Sequence, residues 1–127
     1  MSEHPNAALY RHVMERFSQG DTTAFADAIA DDVVWWQIGV AEPLRGKEAL
    51  LQSMQAMEDV AFDVELHDVV ANDEHIVGLV TATVTVGNTS FSFRTAEIAH
   101  VRDGKVTERW AFSDDTQAIT DFFSRLG

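Results

Sequence analysis

The chain has 127 residues, 46% of them hydrophobic, with two prolines and no cysteine. That is enough chain for one domain to bury a core without cross-links, and it excludes a disulfide framework, a thiol nucleophile and any thiolate metal site. Nine Lys and Arg against 21 Asp and Glu leave a formal charge of −12, a field that repels phosphate backbones and anionic lipid surfaces, so no nucleic-acid or membrane partner is expected.

Leu9, Val13 and Phe17, with Tyr10 and Met14 beside them, recur at three- and four-residue spacing and predict an amphipathic helix over 6–19 that Gly20 stops. Asp21 is placed to cap a shorter helix reaching about Ala30, with Phe25 and Ile29 as its buried stripe. Val33-Val34-Trp35-Trp36-Gln37-Ile38, β-branched and aromatic between Asp31-Asp32 and Gly39, reads as a strand. A loop with Pro43 leads to a methionine-rich helix over 47–57 carrying Leu50, Leu51, Met54 and Met57.

The period then changes. Val60, Phe62, Val64 and Leu66 alternate with Ala61, Asp63, Glu65 and His67 in a strand running to Ala71. Turns at 72–75 and 87–89 separate strands over 76–86 and 90–102. Asp103-Gly104 predicts a two-residue type I′ turn into a last strand over 105–113. Asp114 or Asp115 caps a final helix with Ile119, Phe122, Phe123 and Leu126 on one stripe. The order α-α-β-α-β-β-β-β-α, without repeat or linker, gives a single α+β domain over residues 1–127 with helices on one face of a mostly antiparallel sheet. No apolar run approaches the roughly 20 residues of a membrane span. The start, Met1-Ser2-Glu3-His4-Pro5, lacks the basic and apolar regions of a signal peptide, so a cytoplasmic protein is expected.

Ala30-Asp31-Asp32-Val33-Val34-Trp35-Trp36-Gln37, then Glu42-Pro43-Leu44-Arg45-Gly46, Val101-Arg102-Asp103-Gly104-Lys105-Val106 and Trp110-Ala111-Phe112-Ser113-Asp114-Asp115 resemble the SnoaL-like and ketosteroid-isomerase-like branches of the nuclear transport factor 2-like superfamily. The resemblance spans nearly the whole chain and is carried by turns and core residues. It implies a cone-shaped, cystatin-like roll, its curved sheet wrapped around the N-terminal helices over an apolar cavity. It also implies a homodimer and an apolar small-molecule ligand handled without a cofactor. Ketosteroid isomerase pairs an Asp base with a Tyr/Asp oxyanion hole. By resemblance the base position falls on Gln37, the tyrosine position near Val13 and the second aspartate near Ile98, so that constellation is not expected here. The last-strand Asp of polyketide cyclases and limonene-epoxide hydrolases corresponds to Ala111.

The Asp103-Gly104 turn sets a register in which Arg102 faces Lys105 and Ile98 faces Arg109, with side chains alternating between faces. One face carries Phe93, Thr95, Glu97, Ala99 and Val101 with Val106, Glu108, Trp110 and Phe112. The other carries Arg94, Ala96, Ile98, His100 and Arg102 with Lys105, Thr107, Arg109, Ala111 and Ser113. Composition by itself buries the aromatic face; the resemblance assigns the second face to the cavity and the first to a dimer interface or the final helix. The cavity is then lined by Trp35, Gln37, Met54, Ile98, Arg109 and Ala111. His100 is the candidate proton carrier, with Arg109 and Gln37 as electrostatic stabilisers of a carbonyl or epoxide oxygen. Were the faces inverted, Glu97 would be the base.

Each of these residues also has a structural reading. Arg109 can lay its stem along the sheet and pair with Glu97 or Glu108, His100 and Gln37 can satisfy nearby polar groups, and Trp35 can be core. The functional expectation is a small-molecule-binding protein, in one form an isomerase, cyclase, lyase or epoxide hydrolase working by acid–base chemistry. In the other it is a non-catalytic dimeric scaffold that depends on Trp110 and Phe112. Gly39 to Lys47 lacks the spacing of a phosphate loop, and His67 and His75 lack the spacing of a metal site, so neither a cofactor nor a metal is expected.

Overall fold

The computed structural model describes residues 3–57 and 60–125. The expectations that touch Met1, Ser2, Glu58, Asp59 and Leu126 lie outside the described residues. The elements are α1 (Pro5–Ser18), α2 (Thr23–Asp27), β1 (Ile29–Trp35), β2 (Leu44–Arg45), α3 (Lys47–Ala56), β3 (Ala61–Ala71), β4 (His75–Val86), β5 (Thr89–Arg102), β6 (Lys105–Ser113) and α4 (Thr116–Ser124). All are in the expected order, with the two-residue β2 added.

Local chemistry fixes the ends. Pro5 opens α1, and the His4 ring accepts a hydrogen bond from the Asn6 backbone N–H at 3.1 Å. The Asn6 amide donates to the Asn72 carbonyl at 2.9 Å, tying the start of α1 to the β3–β4 turn. Asp115 caps α4 by accepting from the Ala118 N–H at 3.0 Å. Asp103 and Gly104 both hold positive φ, 53° and 74°, as a type I′ turn requires. The second helix is shorter than its sequence suggests, because Ile29 already pairs in parallel with Val106 and is buried against Val33 and Leu50. β1 therefore begins four residues early, with Asp31 and Asp32 exposed within the strand instead of bounding it.

The six strands form one mixed sheet in the order β2-β1-β6-β5-β4-β3, antiparallel except for β1 beside β6. The helices lie on one face. Ala7 of α1 packs into a cluster with Val69, Ile76, Ala99 and Val101, and α3 packs on β1 through Leu50 and Val33. α4 covers the opposite end of β5, where the rings of Phe91 and Phe122 stack at 5.5 Å.

One expectation about register is overturned. Next to the turn, Arg102 faces Lys105 and Val101 faces Val106 as expected, but the register then shifts, so His100 faces Glu108, Ala99 faces Arg109, Ile98 faces Trp110 and Glu97 faces Ala111. Thr107 is the extra residue of a β-bulge, its hydroxyl donating to the His100 carbonyl at 3.4 Å. A one-residue shift exchanges the faces of everything that follows it. Beyond Thr107, β6 therefore turns Arg109, Ala111 and Ser113 toward the helices alongside Thr95, Glu97 and Ala99 of β5. Arg94, Ala96, Ile98 and His100 lie on the outer face with Glu108, Trp110 and Phe112. Arg109, Ala111 and Ser113 thus lie on the helix-covered face, and Arg94, Ala96, Ile98 and His100, expected beside them, lie on the other.

Candidate functional site

Five elements, α1, β1, β4, β5 and β6, converge on one cluster in the helix-covered face. α1 supplies Tyr10, whose phenol end abuts Gly78 of β4, where a methyl group would sit 2.5 Å from the phenol carbon Cε1. Gly78 is the cross-strand partner of Glu97 on β5. The Tyr10 hydroxyl consequently reaches Glu97 and donates to its Oε1 at 3.2 Å. From β6, the Arg109 Nη2 approaches Glu97 Oε2 at 3.5 Å, with the two side chains only 13% and 19% exposed. Arg109 Nη1 donates to the Trp36 carbonyl at 2.9 Å, and the guanidinium lies over the Trp35 ring, 4.5 Å from its centroid.

A guanidinium held away from water needs a carboxylate, and removing one member of such a pair costs about 3–5 kcal/mol. Here the pair is loose: it sits near the outer limit of an ion pair, and Glu97 takes one long hydrogen bond from Tyr10. Two polar atoms in this face are buried without a partner among the described residues, Arg109 Nε and Thr95 Oγ1. An unsatisfied buried donor costs about 1–3 kcal/mol. Burial, and then the negative charge of Glu97, push the Tyr10 hydroxyl far above the ordinary phenol range, so it remains a neutral donor.

Trp35 belongs to this cluster; it also packs edge-on against Phe25, ring centroids 5.5 Å apart, and with Met54 flanks the Ile29, Val33 and Leu50 core. Gln37 donates across to Ser53 of α3 at 3.5 Å. Ala111 faces Glu97 in register. Trp35, Gln37, Met54, Arg109 and Ala111 thus share the covered side, and all keep some solvent exposure. Ile98 and His100 do not join them. His100 stands on the outer face, its ring edge-on to His75 at 4.8 Å and to Trp110 at 4.7 Å, so the expected proton carrier is separated from Arg109 by the sheet. The titratable group beside Arg109 on the covered face is Glu97, the residue named for the inverted arrangement.

Sequence reasoning missed Tyr10 and Thr95. Gly78 was the available signal, since a glycine inside a strand marks close approach by another group. Two open surface grooves lie elsewhere, one of about 480 Å³ along α3 with Asp31, Lys47 and Leu51, the other of about 370 Å³ between α1, α2 and Gly104. Neither is lined by Tyr10, Trp35, Glu97 or Arg109. Among the described residues, no group of three or more His, Asp or Glu is placed to hold a metal ion, and no helix is long and apolar enough to cross a membrane.

Residues 10–109 match the model of the SnoaL-like domain. The chain belongs to the SnoaL-like family. No curated protein matches its sequence significantly, but solved structures do. The SnoaL-like chain is similar to an LEH-like epoxide hydrolase from M. tuberculosis, with 20% identity over 94% of this chain and 86% of that one and a TM-score of 0.78. It is similar to a protein of unknown function with the nuclear transport factor 2-like fold from Burkholderia pseudomallei, at 20% identity, 94% and 97% coverage and a TM-score of 0.79. IdmH, a candidate polyketide cyclase from Streptomyces antibioticus, matches at 22% identity, 94% and 99% coverage and a TM-score of 0.72. Identities this low establish the fold, the expected cystatin-like roll, and leave the chemistry to the SnoaL-like domain's own residues.

Proposed function

We propose that this chain is a single-domain, cytoplasmic, homodimeric protein whose helix-covered face binds an apolar carbonyl or epoxide compound, and that Glu97 moves a proton on it without a cofactor. The observation that carries this reading is the Glu97 carboxylate, bracketed by the Tyr10 hydroxyl at 3.2 Å and the Arg109 guanidinium at 3.5 Å and still partly exposed. On a ketone, Glu97 takes the proton from the carbon beside the carbonyl, and Arg109 stabilises the enolate oxygen until the proton returns at a new position. On an epoxide, the same carboxylate takes a proton from the attacking water as the C–O bond breaks, and Arg109 steadies the alkoxide. The proton then passes from Glu97 to that oxygen, giving the diol and restoring the carboxylate. Trp35 gives the apolar body a flat surface, Gln37 a second polar contact and Met54 an adaptable wall.

The test is exchange of ketone α-protons for deuterium, followed by NMR over a panel of apolar ketones, with hydrolysis of apolar epoxides measured alongside. Wild-type protein is expected to exchange or hydrolyse at least one compound, and Glu97→Gln to bind that compound while losing turnover. Full turnover in Glu97→Gln refutes the proton-transfer role.

A second reading is favoured by the outer face, where Val70 and Phe112 are 60% and 61% exposed and Leu79 is 41% exposed. Cross-strand pairing joins Val70, Val77, Ile98 and Trp110 in one row and Leu79, Ala96 and Phe112 in the next. As a scaffold, the chain docks a second copy here and its covered face has no turnover. Phe112→Glu is expected to convert dimer to monomer in analytical ultracentrifugation; a dimer that survives it refutes this interface.

A further inference from the structure

The unpartnered atoms and the charge of the site define the kind of ligand more narrowly. Of the guanidinium of Arg109, Nη1 is taken by the Trp36 carbonyl and Nη2 by Glu97, which leaves Nε–H as the buried donor with no partner among the described residues. Thr95 is 7% exposed and its hydroxyl is likewise unpartnered. Thr95 lies one same-face step, roughly 7 Å, beyond Glu97 along β5, between Val80 and Ser113 in register. The covered face therefore carries two unpartnered hydrogen-bonding groups, and in register Glu97 stands between Thr95 and the Ala99 position that faces Arg109.

Its charge is balanced. Glu97 already neutralises Arg109, and the chain as a whole carries −12, so an anionic ligand would have to displace Glu97 and enter against the field of the protein. A neutral oxygen asks for neither, and Nε–H and the threonine hydroxyl, both shut off from water and without a partner among the described residues, are the donors left for it. We infer that the ligand is a neutral, elongated apolar molecule with two oxygen acceptors, one received by Arg109 Nε–H and the other by Thr95. This rests on the reading of the covered face as a ligand site, and it adds Thr95 as the group that selects the second oxygen.

Isothermal titration with four naphthalene probes separates the two claims. The probes are a naphthalene bearing an acetyl group, its ethyl counterpart without oxygen, the corresponding carboxylate, and the acetyl compound with a methoxy group on the far ring. The acetyl compound is expected to bind about tenfold more tightly than the ethyl one, and the methoxy-acetyl compound about tenfold more tightly again. The carboxylate is expected to bind more weakly than the acetyl compound. Thr95→Val, which removes an unpartnered hydroxyl without changing side-chain size and should fold at least as stably, is expected to erase the gain from the methoxy group and keep the gain from the acetyl group. Tighter binding of the carboxylate, equal binding of the ethyl compound, or a methoxy gain that survives Thr95→Val overturns the inference while leaving the ligand site standing. Failure of all four probes at millimolar concentration overturns the ligand site, and the inference with it.

Discussion

Gly78→Ala is the most direct test of how the site is assembled. A Cβ at this position would lie 2.5 Å from Cε1 and the hydroxyl oxygen of Tyr10 and 2.6 Å from Cζ, where 3.4–4 Å is ordinary contact. Tyr10 is anchored through α1, which the Asn6 amide ties to the β3–β4 turn, so the ring has to swing out of its place. Forcing extra volume into packed structure costs about 1–3 kcal/mol. Losing a hydrogen bond to a carboxylate adds about 1.5–3 kcal/mol, and the lower figure suits a contact this long. Together they give about 3 kcal/mol, a fall in melting temperature on the order of 10 °C for a chain of this size.

Urea denaturation measures the loss, and a double-mutant cycle assigns it. In a Tyr10→Ala background the same Gly78→Ala change meets no ring and is expected to cost less than about 0.5 kcal/mol, or to stabilise, because glycine within a strand is entropically unfavourable. A loss near 3 kcal/mol in both backgrounds would refute the reasoning, since the methyl group would then be acting on something other than Tyr10.

Three further outcomes follow from the same structure. Tyr10 is the only tyrosine, and its folded-state pKa is raised by burial and by Glu97. Its contribution to stability is therefore complete below the unfolded value of about 10 and is lost as pH climbs above it toward the folded value; Tyr10→Phe should lack that alkaline slope in urea titrations at successive pH. Asp114 titrates below the ordinary aspartate value of 3.8 because the Arg94 backbone N–H and then the Arg94 side chain donate to it. Its contribution is present above that value and lost as pH falls through the lower folded one, so Asp114→Asn should flatten the acid limb of a melting-temperature profile. Asp103 holds φ at 53°, so Asp103→Val should cost about 1–2 kcal/mol while Asp103→Asn is tolerated, as thermal melts of the two variants will show.

The elements were legible where one local rule decided them. Spacing placed α1 and α3, alternation placed β3, Asp103-Gly104 placed the last hairpin, and the Asp114-Asp115 pair marked the start of α4, which Asp115 caps. β1 was misjudged because its first four residues become a strand only through pairing with β6, a contact far away in sequence that no local pattern encodes. Within the site, Trp35 and Arg109 could be named from residue type, since a tryptophan and an arginine close to a core both require explanation. Tyr10 read as one more apolar position on an amphipathic helix. Only the missing side chain at Gly78, opposite Glu97, distinguishes it.

The bulge at Thr107 explains why both partners of the central ion pair were considered yet placed on opposite faces. An unbroken hairpin would leave Ala99 and Glu97 sharing a face with Glu108, Trp110 and Phe112. Two bulky rings and a second carboxylate would then crowd the space beneath α1, and Arg109 would stand outside, away from Glu97. One extra residue reverses β6 alone: it brings Arg109 and Ala111 under the helices, where the small alanine leaves room beside Glu97, and it turns Trp110 and Phe112 outward as an apolar band. Threonine is enriched in strands generally, so its type gives no warning. The ion pair on one side of the sheet and the outward-facing aromatic pair on the other are therefore consequences of one irregularity, and any change that removes the bulge should disturb both together.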